Sequence, residues 1–171
     1  MELDSAILKN PLKTKLKEFN YSSLFNEAKE DQLSFLNEIL SNPVRIEKLF
    51  RASEHGFKAA AFHEKCNNHS DTLVLIRTEF GKTIGGFTHY PWLSGNGNVN
   101  DAGRRAFIFS VDMKEKFVPQ GDDYLIRNHD NYGPWFGSNG NDIKIFDDCN
   151  NKNSSYSNFP SVYNRAGGNK L

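Results

Sequence analysis

The chain has 171 residues, which fits a single domain by the usual span of about 100–200 residues. Lys plus Arg number 21 and Asp plus Glu number 21, so the formal net charge is zero. A neutral chain has no global field to hold it on nucleic acid or on an acidic membrane surface. The hydrophobic fraction is 37%, below the roughly 45–50% of an average domain, yet aromatics reach 13% with 14 Phe. That points to a Phe-rich core and excludes disorder across the whole chain.

Two cysteines, Cys66 and Cys149, cannot make a disulfide framework. Met1 to Phe19 has no apolar run of the kind a signal peptide needs, and no stretch nears the roughly 18–20 apolar residues of a membrane-spanning helix. The expectation is a soluble cytoplasmic protein with free thiols and no membrane insertion. Three N-x-S sequons, at Asn20, Asn68 and Asn153, carry little weight in such a protein. The 20 asparagines are read as coding bias.

Residues 1–20 are Lys-rich, and Leu8, Leu12, Leu16 and Phe19 are helically spaced. Pro11 has no N–H to donate, so a helix starts near it or the segment is a basic arm that orders on a partner. Phe25, Ala28, Leu33, Leu36, Ile39 and Leu40 predict a helix over 22–40. Ser22 or Ser23 caps it, and Asn42–Pro43 stops it. Val44 to Phe50 reads as a strand. Ser53 opens a helix from Glu54 to Cys66, whose alanines permit close approach to a sheet.

From Thr72 the pattern becomes strands and turns. Leu73 to Ile76 is a continuous apolar run, suited to a strand buried on both faces. Phe80-Gly81-Lys82 is a turn. Ile84 to Thr88 is a strand whose Gly85-Gly86 pair implies a bulge or a close backbone approach. Ser94 to Asn100 reads as a loop, Ala106 to Val111 as the strongest strand, and Lys114 to Asp123 as a polar connection. Tyr124 to Ile126 and Ile143 to Phe146 are further strands. Many short strands separated by turns predict an antiparallel sandwich or barrel.

The chemistry these residues could perform is limited. His63, Cys66 and His69 are three apart, and with Cys149 they could offer zinc ligands. No second pair has ligand spacing, so a packed histidine and an ordinary buried thiol are preferred. Cys66 and Cys149 are also candidate redox thiols, with His63 as a base. Glu64, Glu79, Asp142, Asp147 and Asp148 show no spacing that implies acid–base work. Gly81-x-x-x-Gly85-Gly86, Gly95-x-Gly97 and Gly137-Ser138-Asn139-Gly140 all lack the context of a phosphate cradle. No cofactor and no catalytic residue is expected.

The stretch Leu49 to Phe57, then Phe62-His63-x-x-Cys66-Asn67-Asn68, resembles the opening of a TLDc domain, of the type found in protists. The likeness continues in order through Thr72 to Thr78, Gly81 to Thr88 with Trp92, and Ala106 to Ser110. It then runs through Tyr132 to Gly137, Asp142-Ile143, Cys149-Asn150 and Asn153 to Asn158, covering about residues 46–163. The resemblance implies an α+β, mostly β fold, a two-sheet antiparallel sandwich with short flanking helices. To this the sequence adds an N-terminal helical segment. The expected division is a basic, helical attachment segment over 1–45 and the TLDc domain over 46–171.

TLDc proteins include oxidation-resistance factors, and several animal members bind the vacuolar proton-pumping ATPase and regulate its assembly. The family supplies no agreed reaction or catalytic set. The expected role is a non-catalytic interaction module with protein partners and no nucleic acid: subunits of that pump by the resemblance, or a cytoskeletal or other structural assembly, suggested by a small neutral domain with an appended arm and an open edge. A redox-active protein protecting against oxidative stress, or an uncharacterised enzyme, is the alternative. Candidate contact residues are His89, Tyr90 and Trp92 after the Gly85-Gly86 strand, and Tyr132, Trp135 and Phe136 in a Gly/Asn-rich loop, because loop aromatics are common at interfaces. Trp92 and Phe136 could instead close the ends of the sandwich. The family usually ends with a further glycine-containing stretch and a strand, about where Gly167 to Leu171 stand. A shortened sequence, or an edge supplied by a partner, is the expectation there.

Overall fold

The computed structural model describes residues 2–9, 30–41, 45–100, 103, 105–120, 124–138, 141–152, 154–158 and 161–165. Twelve strands and three helices follow in chain order among them: β1 (Glu2–Lys9), α1 (Glu30–Ile39), β2 (Arg45–Arg51), α2 (Ala52–His55), α3 (Ala59–Cys66), β3 (Thr72–Arg77), β4 (Thr83–Thr88), β5 (Asn96–Val99), β6 (Phe107–Ser110), β7 (Glu115–Pro119), β8 (Ile126–His129), β9 (Tyr132–Phe136), β10 (Ile143–Phe146), β11 (Tyr156–Ser157) and β12 (Tyr163–Arg165). The larger sheet has the order β12-β7-β6-β4-β3-β1-β2 and the smaller one β11-β10-β9-β8-β5. Every strand pairing in both sheets is antiparallel.

Two apolar layers hold this arrangement. One lies between the sheets and includes Leu3, Phe50, Phe62, Val74, Ile76, Trp92, Ile108, Phe117, Ile126, Phe136 and Ile143. The other places Phe35, Leu36 and Ile39 of α1 on Leu73, Leu75, Phe107 and Phe109, across the outer face of the larger sheet. The unbroken apolar run of β3 follows from this: Val74 and Ile76 face the inter-sheet layer while Leu73 and Leu75 face the helix. Lys116 lies over the Phe107 ring at 4.0 Å and donates to the Ile39 carbonyl at the end of α1.

Several sequence expectations change. Residues 2–9 form a strand between β2 and β3, not a helix or an arm. Residues 10–29 lie outside the described residues, so the helix starting near Pro11 and the first turns of the 22–40 helix lie there too. The helix from Glu54 to Cys66 is two helices. Gly56, at φ 95°, closes α2, and the Asp147 carboxylate accepts the Ala59 N–H at the start of α3. That partner is 88 residues away in the chain, so no local pattern announces the break.

Asn96–Val99 is an edge strand, not part of a loop, and its exposure removes the need for apolar alternation. The polar connection from Lys114 contains β7, with Phe117 buried between the sheets. The strand expected at Tyr124 to Ile126 begins at Ile126. Tyr132–Phe136 is a strand, its pattern masked by Gly133-Pro134. The Gly85-Gly86 pair makes the close approach and no bulge, since β4 keeps register with both neighbours. The expected departure at the end of the chain concerns residues 166–171, which lie outside those described.

Candidate interaction surface

Alternation in the smaller sheet sends Ile126, Phe136, Ile143 and Ile145 into the inter-sheet core. It therefore sends Arg127, Trp135 and Lys144 to the opposite, outer face. Tyr132 stands three residues before Trp135 and would face inward in a regular strand. The register between β9 and β10 shows why it does not. Trp135 pairs with Lys144 and Tyr132 pairs with Phe146, so three steps on β9 match two on β10. The extra residue is a bulge, which re-aims the side chains beyond it.

The result is a continuous array of rings and cations. Lys144 places its ammonium 3.6 Å from the Trp135 ring centre, 4.1 Å from Tyr132 and 4.8 Å from Phe146. From the other flanking strand, the Arg127 guanidinium lies 4.7 Å from the Trp135 ring. Tyr132 packs edge-on to both Trp135 and Phe146, and the His129 ring sits 4.6 Å from it. Tyr156 of β11, 44% exposed, extends the array beside Phe146.

Cation–π contacts contribute about 0.5–2 kcal/mol each, most where water is excluded, and Lys144 is only 8% exposed. Its ammonium has no hydrogen bond or ion pair among the described residues. Burial, and then the nearby Arg127 charge, pull the Lys144 pKa below its usual value. The Trp135 indole N–H is buried without an acceptor among the described residues. Arg127 is held by the Asn96 side-chain oxygen at 2.9 Å.

The face is steadied from behind by α3. His63 is buried, with its Nε2 3.1 Å from the His129 carbonyl and 3.0 Å from that of Tyr132. Its Nδ1 meets the Asn67 side chain at 2.8 Å. This histidine clamps the turn between β8 and β9. Among the described residues no three His, Cys, Asp or Glu side chains converge as a metal ligand set would.

The six candidate contact residues separate into three places. Tyr132 and Trp135 meet on the outer face. Trp92 and Phe136 are fully buried and touch each other edge-on. Trp92 also donates its indole N–H to Thr72 Oγ1 at 2.9 Å. As contact residues these two are corrected: reaching a partner would require opening the sandwich. His89 and Tyr90 follow β4, apart from that face, with His89 bonded to Asp71 at 2.5 Å and Arg105 over the Tyr90 ring at 5.8 Å.

The thiols are both buried. Cys149 lines a cleft of about 510 Å³ between Ile76, Ile84, Ile143 and Ile145 on one side and polar residues such as Glu79 and Lys152 at its rim, and burial raises its pKa. Sequence reasoning missed Arg127 and Lys144. Their signal was present, since each is a cation directly after a core isoleucine, but it becomes legible only once Tyr132–Phe136 is known to be the strand between them.

Comparison with known proteins gives one family. The TLDc domain profile matches residues 18–169. No curated protein and no solved structure matched the chain. With a match over nearly the whole sequence, joined to a two-sheet antiparallel fold, the chain belongs to the TLDc domain family.

Proposed function

We propose that this TLDc chain is a non-catalytic protein-interaction module, working as a subunit or regulator of a larger assembly, with the vacuolar proton-pumping ATPase as its partner. The observation that carries the interaction reading is the outer face of the smaller sheet. The outer face of a sheet ordinarily alternates dispersed polar side chains, whereas at the centre of this one Trp135 and Lys144 are 5% and 8% exposed and the rim residue Tyr156 is 44% exposed. Here Tyr132, Trp135, Phe146 and Tyr156 are joined to Arg127 and Lys144. Aromatic residues and arginine are enriched where proteins meet. The pump is favoured because TLDc relatives are known to regulate it. Among the described residues no helix is long and apolar enough to cross a membrane, so contact with the pump would be made through its protein subunits.

The rival reading needs a thiolate reactive at neutral pH, and burial at Cys149 works against one. We expect Cys66 and Cys149 to label with a maleimide more slowly in the folded chain than after unfolding; faster labelling in the folded chain would revive a redox role. Mild-lysis affinity capture of the tagged full chain tests the partner. Enrichment of pump subunits supports the proposal. Enrichment of tubulin or other filament proteins in their place would move the module to a structural assembly and overturn the pump assignment.

A further inference from the structure

The outer face of the smaller sheet holds two cations that meet no carboxylate among the described residues. Lys144 is 8% exposed, and its ammonium meets three rings and, among the described residues, no acid. Arg127 stands on the same indole, and among the described residues its hydrogen-bond partner is a neutral amide oxygen. None of the ion pairs among the described residues involves either cation. The Trp135 indole N–H is buried with no acceptor among the described residues. A buried N–H without an acceptor is destabilising, and this holds for the indole N–H. Such a cluster in a neutral chain marks the place where an acceptor belongs.

We propose that this face receives an acidic segment of a protein partner, its carboxylates seated against the Lys144 ammonium and the Arg127 guanidinium beside the Trp135 ring. The proposal rests on the interaction-module reading and names the chemistry of the partner. Three features select an acidic peptide over a phosphate group. Phosphate sites are ordinarily built from free backbone N–H groups at a helix start or a turn, whereas β9 and β10 pair with each other across this face. The two cations come from strands on either side of β9 and stand on one indole, at 3.6 and 4.7 Å from its ring centre, a reach that carboxylates of neighbouring acidic side chains can bridge. Tyr132, Phe146 and the exposed Tyr156 supply a flat apolar floor for the residues between those acids.

The test uses the nitrogen-15 labelled full chain. Its spectrum contains two indole N–H resonances, from Trp92 and Trp135, and the first is an internal reference because Trp92 is buried and bonded to Thr72. The probe is a synthetic peptide alternating glutamate and leucine, blocked at both ends, with a glutamine-for-glutamate counterpart and inorganic phosphate as controls. The expected result is movement of the Trp135 resonance with the acidic peptide while Trp92 stays fixed. The glutamine peptide and Lys144→Met should each weaken binding by about tenfold or more, as loss of a desolvated charge contact does.

Lys144→Met keeps an apolar stem over the rings, and an unchanged urea midpoint shows that the fold survives. Lys144→Arg should retain binding. A Trp135 resonance that does not move, or moves equally with the glutamine peptide, overturns the proposal, as does an equal response to phosphate alone. Peptide binding with no pump subunits captured would remove the pump assignment and leave the acidic-segment proposal standing; pump capture without peptide binding would do the reverse.

Discussion

A methyl group on Gly85 would lie 2.1 Å from the Val74 carbonyl oxygen and 2.6 Å from the Phe109 ring, and one on Gly86 would lie 2.5 Å from the Phe136 ring. The two glycines let rings press on β4 from both sides. Gly85→Ala meets backbone, which cannot swing aside, so a loss of about 3 kcal/mol is expected in urea unfolding. A loss below about 0.5 kcal/mol, the range of an innocuous surface change, would contradict that packing.

Asp142 is the other residue with a large structural duty. It is fully buried and accepts the N–H groups of Ser161, Val162 and Tyr163. Burial raises its pKa above the usual carboxylate value, outweighing those three bonds. The sign follows: this group's contribution to stability is fully present below the unfolded-state pKa and is lost as pH rises through the raised folded-state value. The advantage of the wild type over Asp142→Asn should therefore shrink as pH rises from about 4. Urea midpoints for both proteins across that range check it, and an advantage that grows with pH would contradict it. The sequence showed Asp142 only as one carboxylate among several, because its partners lie 19 to 21 residues further on.

The elements that were legible were those with a strong local period. β3, β6 and β10 announce themselves by apolar runs, and α1 by its stripe. β5, β7 and β9 did not, for three physical reasons: an exposed edge strand needs no alternation, β7 ends in a proline, and β9 carries Gly-Pro at its bulge. β1 was hidden because its place between β2 and β3 is set by long-range pairing.

At this scale His63 is the residue that ties elements together, joining α3 to the β8–β9 turn. His63→Leu fills similar space but leaves two carbonyls without their donor. A loss of about 1–3 kcal/mol is expected, with a shifted Trp135 indole resonance because the turn carries Tyr132. An unmoved Trp135 resonance would contradict the clamp.

The whole molecule is a neutral sandwich in which α1 covers part of one outer sheet face. The other outer face carries the aromatic and cationic array. Two of the six residues of that array were legible: Tyr132 and Trp135 stood out as aromatics outside the expected core, while Trp92 and Phe136 stood out equally and are core. Aromatic identity alone does not tell a face from an interior; the register of β9 against β10 does.

The central proposal is that this face is where the proton pump binds. The most direct measurement is the affinity of the purified full chain for the isolated proton pump, comparing wild type with Tyr132→Ala and Lys144→Met at matched fold stability. Binding by the wild type that weakens about tenfold or more in both variants is predicted, as for residues at the centre of an interface. Equal binding by all three proteins, or none by the wild type, would contradict it.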